Sequence, residues 1–205
     1  MKLYYSPPSP FSRKVRVAAA VLRLSEDMAL TPVDTLDPAD PLRDKNPLGK
    51  IPVLETNDGE CIYDSAVIAA WLDERAGGGG VIPRDPKART RALVLEALAD
   101  GLTDSAVLIV YESRYREPQE RSAKWLAHQG GKIQRALAQL EQAPPALDGT
   151  PDIGQIALAC ALGYLDLRFS GEWRAAHPRL VAWFDDFTQR VPAFAATAGE
   201  PKLNA

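Results

Sequence analysis

Three short stretches of this 205-residue chain carry residues whose types and spacing could do chemistry. The first is Pro7-Pro8-Ser9-Pro10-Phe11-Ser12-Arg13. Serine followed by proline is an ordinary helix start: the serine oxygen accepts a free backbone N–H, and proline suits the first helical position. That position also sets a hydroxyl beside the positive end of a helix dipole, where an anion is stabilised. The second stretch is Asn46-Pro47-Leu48-Gly49-Lys50-Ile51-Pro52-Val53-Leu54. Proline before a short apolar strand fixes φ and removes a donor. A cis Ile51–Pro52 bond would present Val53 with its backbone free to pair with an extended ligand. The third, Tyr63-Asp64-Ser65, closes a strand and opens a helix whose free N–H groups suit a carboxylate. A ligand with an extended peptide middle and a free amino-acid end would fit these features together.

The elements that must position them follow from periodicity and turn chemistry. Residues 2–5 read as a strand, and a helix starting at Ser9-Pro10 carries Phe11, Val15, Ala18 and Leu22 on one face. Residues 29–33 read as a second strand. Residues 35–46 form a loop rich in Asp and Pro, with one helical turn at 41–44. Residues 51–55 and 60–63 make a hairpin around Thr56-Asn57-Asp58-Gly59, where Asp-Gly is the turn signal. A helix from Asp64 or Ser65 to Arg75 carries Val67, Ile68, Trp71 and Leu72. The order βαβ then ββα predicts a thioredoxin-like domain over 1–76. The run Gly77-Gly78-Gly79-Gly80 with Pro83 and Pro86 reads as a linker, 77–86. Strand signals then stop. Helical patterns at 86–112, 117–142, 152–167 and 177–190 predict an all-helical second domain over 87–205. Asp152 and Gln155 read as a reciprocal cap at the start of one of these helices, a folding role.

Composition narrows the classes of function. Hydrophobic content of 46% and charged content of 25% suit a globular protein. A net charge of −3, with no Lys/Arg run, gives no reason to expect nucleic acid or an anionic membrane as partner. The two cysteines, Cys61 and Cys160, read as buried free thiols rather than a disulfide. No signal peptide is evident, and the longest apolar run, 156–165, is far too short to span a bilayer, so the cytoplasm is expected. His128 and His177 lack ligand partners nearby, and no cluster has metal spacing. The glycine run is not a phosphate loop, and no Ser/His/Asp signature stands out.

The Ile51-Pro52-Val53 turn, the Asp64-Ser65 helix start and the proline-flanked Ser9 resemble the glutathione site of the glutathione S-transferase (GST) family, in its serine-type form. The helical second half and the closing Trp183…Arg190-Val191-Pro192-Ala193-Phe194 are similar to that family too, so the resemblance covers essentially the whole chain. It implies that Ser9 donates a hydrogen bond to the glutathione sulfur. It implies that Pro52 is cis, that Val53 pairs with the cysteinyl backbone, and that Asp64 and Ser65 hold the γ-glutamyl end. Lys50 could reach the glycyl carboxylate, or be a plain surface lysine. A free thiol has a pKa near 8.5, so roughly 3% is thiolate at pH 7. Lowering that pKa by about two units needs roughly 2.7 kcal/mol. A hydroxyl donor and a helix N-terminus both favour the anion.

Other residues are reserve candidates. Ser12 lies one turn into the helix, and Tyr4 or Tyr5 could supply a phenol donor. Arg13 could add positive potential near a bound anion, or lie solvated. Asp100 and Asp104 share one helix face, and Asp100 is the first choice for an acid near the glutathione amino group of a partner subunit. Pro8, Phe11, Leu108, Tyr111 and Tyr115 are plausible walls for the second substrate, although core packing explains each as well. The resemblance implies a homodimer that conjugates glutathione to small, mostly apolar electrophiles in detoxification, without a metal. Isomerisation, dehalogenation and peroxide reduction are alternatives, as is a non-catalytic binding protein. A cysteine-type reductase is disfavoured by a serine at the helix start.

Overall fold

The computed structural model describes residues 1–198. Strand β1 (Lys2–Tyr5) leads into helix α1 (Pro10–Val21), strand β2 (Ala29–Pro32) and a single helical turn, α2 (Leu42–Lys45). Strands β3 (Val53–Glu55) and β4 (Cys61–Ile62) follow, then α3 (Ser65–Arg75). The four strands form one sheet in the order β2-β1-β3-β4, with β1 parallel to β2 and the other pairs antiparallel. This is the thioredoxin-like domain, and everything after it is helical: α4 (Pro86–Tyr115), α5 (Ala123–Gln142), α6 (Ile153–Phe169), α7 (Pro178–Arg190) and α8 (Pro192–Ala196).

Local chemistry sets the helix starts. Asp85, Ser122 and Asp152 each accept a backbone N–H from three residues ahead, at 2.8, 3.2 and 3.0 Å. Gln155 returns the bond to Asp152 N at 2.8 Å, completing the expected reciprocal cap. One expected helix begins later than its periodicity suggested. Pro118–Glu120 is a separate 3-10 turn, and Ser122 caps the real start of α5. The strands are shorter than their apolar runs. Ile51 and Pro52 lie before β3, and Tyr63 lies beyond β4. Both flanks carry cis peptides, at Ile51–Pro52 and Tyr63–Asp64.

Two cores position the site. Leu3, Val15, Ala19, Leu54, Ile62, Ile68 and Leu72 fill the space between the sheet and helices α1 and α3. The larger core is helical, but Val17 and Ala18 of α1 and Ala69 of α3 belong to it. The other flank of α1 is therefore sealed against the helical half. α6 is buried on nearly every side, as a helix apolar all round must be. Gly154 lets it approach α4: a Cβ there would stand 2.5 Å from the Ala92 carbonyl oxygen and 2.7 Å from Leu95 Cβ.

The glycine-rich connection is packed rather than free. The Asp73 carboxylate, 1% exposed, accepts N–H groups from Gly79, Gly80, Val81 and Ile82 at 2.8, 2.9, 2.7 and 3.3 Å. Gly77, Gly78 and Gly79 have φ of 102°, 74° and 80°, a region that side chains avoid and that this wrapping requires. No helix among the described residues is long and apolar enough to cross a membrane.

Candidate functional site

The end of the sheet where β1 finishes is also where β3 begins and β4 finishes. Tyr4 faces Val53 across the β1–β3 pair, and Leu54 faces Ile62 across the β3–β4 pair. The segments just beyond these ends are therefore neighbours: Ser6 to Ser9, Ile51-Pro52 and Tyr63 to Ser65. Two helices start there, α1 behind Ser9 and α3 behind Asp64, and both turn their positive ends to the same opening.

Ser9 is half-buried, and its Oγ accepts the Ser12 N–H at 3.2 Å. The cap uses the oxygen as acceptor only, so the hydroxyl proton is left to donate outward. Capping and donation to an anion are compatible in this one side chain. The Ser12 hydroxyl itself is buried and has no hydrogen-bond partner among the described residues. Tyr4 is not placed to compete. Tyr4 donates its hydroxyl to Glu55 at 2.5 Å, and Tyr5 lies under the Arg16 guanidinium, 5.3 Å from the ring centre.

The loop before β3 is built by Asn46. Its Oδ1 accepts from Leu48 N and its Nδ2 donates to the Lys50 carbonyl, both at 3.0 Å, while Gly49 N–H donates to the Asn46 carbonyl at 2.8 Å. Gly49 takes φ +60°, which closes the turn and presents Lys50 to solvent.

One expectation is corrected here. In β1, Met1 and Tyr5 offer their carbonyls to β2, accepting from Ala29 and Val33 at 3.0 Å. The alternate residues Lys2 and Tyr4 therefore face β3. On β3, Thr56 N–H turns to the Glu60 carbonyl on the β4 side, so Val53, three residues earlier, turns to Tyr4. The Val53 backbone is consumed inside the sheet and cannot pair with a ligand. The free backbone is that of Ile51, whose N–H and C=O have no partner among the described residues. Sequence reading missed it because strand parity depends on the partners of β1 and β3, not on the Ile-Pro-Val order.

Asp64 is exposed and caps α3 by accepting Ala66 N–H at 3.1 Å, which leaves its second oxygen unused. Ser65 follows at the first helical position, 3% exposed. Across the opening, on α4, Asp104 lies in the fields of Lys50 and Asp64, and burial pushes its carboxyl above the ordinary range.

Two other candidates are committed elsewhere. Asp100 accepts from Lys14 Nζ at 2.6 Å, and Glu96 accepts from the same nitrogen at 2.9 Å. Lys14 is 1% exposed; burial opposes its charge, but the two carboxylates outweigh it and hold its pKa above the usual lysine value. Asp100 is thus an internal partner of α1, and the acid that faces the opening is Asp104. Arg13 stacks on the Phe194 ring, 3.6 Å from its centre, and donates to the Phe194 carbonyl at 2.7 Å. Burial lowers its pKa. It clamps α1 to α8, and Gly163 makes the room, since a Cβ there would stand 2.7 Å from Arg13 Nη1.

Phe11 and Pro8 are half-buried at the start of α1, while Leu108, Tyr111 and Tyr115 form an exposed apolar stripe along the second half of α4. Tyr111 and Tyr115 meet edge to face with centres 5.2 Å apart. Burial pushes the Cys160 thiol up to about 12, which makes it inert, and Cys61 is half-buried against the outer sheet face. No group of three or more His, Cys, Asp or Glu among the described residues could hold a metal ion.

Comparison with known proteins gives a consistent result. Residues 3–80 match the family model for the glutathione S-transferase N-terminal domain, and residues 123–186 match that for the C-terminal domain. An uncharacterized GST-like protein of Escherichia coli, YibF, is 35% identical over 96% of this chain and 98% of its own length. A maleylacetoacetate isomerase of Pseudomonas aeruginosa is 29% identical over 68% of this chain and 69% of its own. A crystal structure of a glutathione transferase family member from Pseudomonas fluorescens, with bound glutathione, is 42% identical, covers 98% of both chains and superposes with a TM-score of 0.88.

Proposed function

This chain belongs to the glutathione S-transferase family, and we propose that it is a glutathione transferase that uses Ser9 to hold the glutathione sulfur as thiolate. The observation that carries the reading is the sheet end itself. Two helix N-termini, at Ser9 and Asp64, open onto it on either side of the unpaired Ile51 backbone. Glutathione has the matching parts: a thiol, a peptide middle and a free amino-acid end. Ser9 donates to the sulfur, and the dipole of α1 adds to the effect. Ile51, set by cis-Pro52, pairs with the cysteinyl backbone in the role first expected of Val53. The γ-glutamyl carboxylate takes the Ser65 N–H and hydroxyl. Its ammonium faces the unused oxygen of Asp64, with Asp104 beyond it. Lys50 meets the glycyl carboxylate. The sulfur then attacks an electrophile lying against Phe11, Leu108 and Tyr111, with detoxification in the cytoplasm as the setting.

An ultraviolet difference titration with glutathione near neutral pH tests the site. Saturable binding with a thiolate band that falls in Ser9→Ala supports the reading; absence of binding at millimolar glutathione refutes it. The Pseudomonas isomerase favours a second reading, glutathione-dependent isomerisation. Turnover with glutathione consumed separates transfer from isomerisation, which returns it. We further propose a homodimer, because Tyr63 after β4, Val67 on α3, and Leu93 and Val94 on the first half of α4 are large apolar side chains 37–63% exposed. Light scattering after gel filtration checks this.

A further inference from the structure

Beyond Ser9, the opening ends in charge that sulfur transfer does not use. Arg114 lies between Tyr111 and Tyr115 in the last turns of α4, and Tyr164 and Arg168 lie in the last turns of α6. These ends come together. Near their starts the helices touch at Gly154 and Ala92, and near their finish the Tyr164 phenol lies in the fields of Arg168, Arg114 and Tyr111. α1 runs the opposite way. Val21 at its finish lines a cavity with Thr150 and Asp152 just before α6, and Arg13 lies against Gly163. Its start, with Ser9 and Phe11, therefore points to the end of α6 that carries Arg168. Along α4, Tyr111 lies seven residues past Asp104, about 10 Å farther along the helix axis.

Neither arginine has an acidic partner among the described residues. Arg168 lies 5.9 Å from the centre of the Tyr164 ring and hydrogen-bonds the Tyr164 phenol, while its Nε is buried with no hydrogen-bond partner. Arg114 lies 5.4 Å from the centre of the Tyr111 ring and joins no ion pair. The nearby carboxylates are spent on others. Glu112 pairs with Arg116 at 3.1 Å and accepts from Ser122 N at 3.2 Å. Asp166 holds Arg174 at 2.6 Å and Trp173 Nε1 at 2.8 Å. Each guanidinium therefore keeps its charge without a neutralising carboxylate, and its solvent-reaching N–H groups can bond an incoming anion. Guanidinium forks fit carboxylates, and the tyrosine rings supply an apolar wall beside them.

We propose that Arg114 and Arg168, framed by Tyr111, Tyr115 and Tyr164, form an anion subsite of the second-substrate pocket, and that the electrophile this protein takes carries a carboxylate. The proposal rests on the glutathione reading above. S-Hexylglutathione and its ω-carboxy counterpart share one tether and differ only in the terminal charge, so their dissociation constants, measured by calorimetry beside that of glutathione, test it. The acid should bind about tenfold more tightly, the scale of one charge-assisted hydrogen-bonded contact. The preference should vanish in Arg114→Gln/Arg168→Gln. In the wild type it should shrink with added salt, since both side chains reach solvent, and that arm stands if the double variant does not fold. Equal affinity of the two probes for the wild type, with glutathione bound, overturns this subsite alone. A preference that survives in the folded double variant overturns its assignment to these arginines. Failure of glutathione to bind overturns the parent reading and this one with it.

Discussion

Replacing Lys14 by methionine removes the one cation that pairs with Glu96 and Asp100 among the described residues. Methionine nearly preserves the aliphatic volume, so the perturbation is electrostatic. Lys14 is 1% exposed, and the side chains of Glu96 and Asp100 are 7% and 25% exposed. Stranding a buried partner in this way costs about 3–5 kcal/mol. For a chain of this length, each kcal/mol shifts the melting temperature by about 2–4 °C, so Lys14→Met should melt about 6–20 °C lower at pH 7.5. The pH dependence has a definite sign. Burial already raises the Asp100 carboxyl above its ordinary range, and in the variant both carboxylates keep their burial and lose their cation, so ionising them in the folded state costs more. Such groups cost stability above the unfolded pKa, and the cost fades as falling pH protonates them. The gap between wild type and variant should therefore narrow from pH 7.5 to pH 5. Neutralising the acids as well, in Lys14→Met/Glu96→Gln/Asp100→Asn, should recover at least half of the loss. Thermal melts over this pH range measure all three effects. A loss under about 1 kcal/mol at pH 7.5, or a gap that does not change with pH, would show that water screens the cluster and would refute the argument.

Three further outcomes are expected. Asp73→Ala leaves Gly79, Gly80, Val81 and Ile82 without their shared acceptor; with buried N–H groups at about 1–3 kcal/mol each, urea unfolding should show a loss of at least about 2 kcal/mol, and proteolysis should begin within residues 77–82. Gly154→Ala forces a methyl to 2.5 Å from a backbone oxygen that cannot swing aside, so it should destabilise by about 1–3 kcal/mol despite the better helix propensity of alanine, as a melting curve would show. Glu55 bonds Lys45 and Tyr4, and these hold its pKa down from 4.5 to about 2; its contribution is complete above pH 4.5 and is lost as pH falls toward 2, so melts of Glu55→Gln should converge on the wild type across that window.

Much of the architecture is legible in residues close together in the chain. Ser9, Asp64, Asp85, Ser122 and Asp152 cap helices because the N–H groups they accept lie two or three residues ahead. The Asp58-Gly59 turn, the cis-capable Ile51–Pro52 pair and the glycine-rich connection announce themselves for the same reason: the cause is local backbone geometry. What tertiary structure alone decided are the commitments between distant residues. Ile51 rather than Val53 has the free backbone because β1 divides its hydrogen bonds between β2 and β3. Asp100 turns inward and Asp104 outward because Lys14, 86 residues before Asp100, is buried between the two halves. Arg13 belongs to Phe194, 181 residues away. No local spacing encodes such pairings, since desolvating a charge obliges it to find a partner and only the packed chain determines which one is within reach.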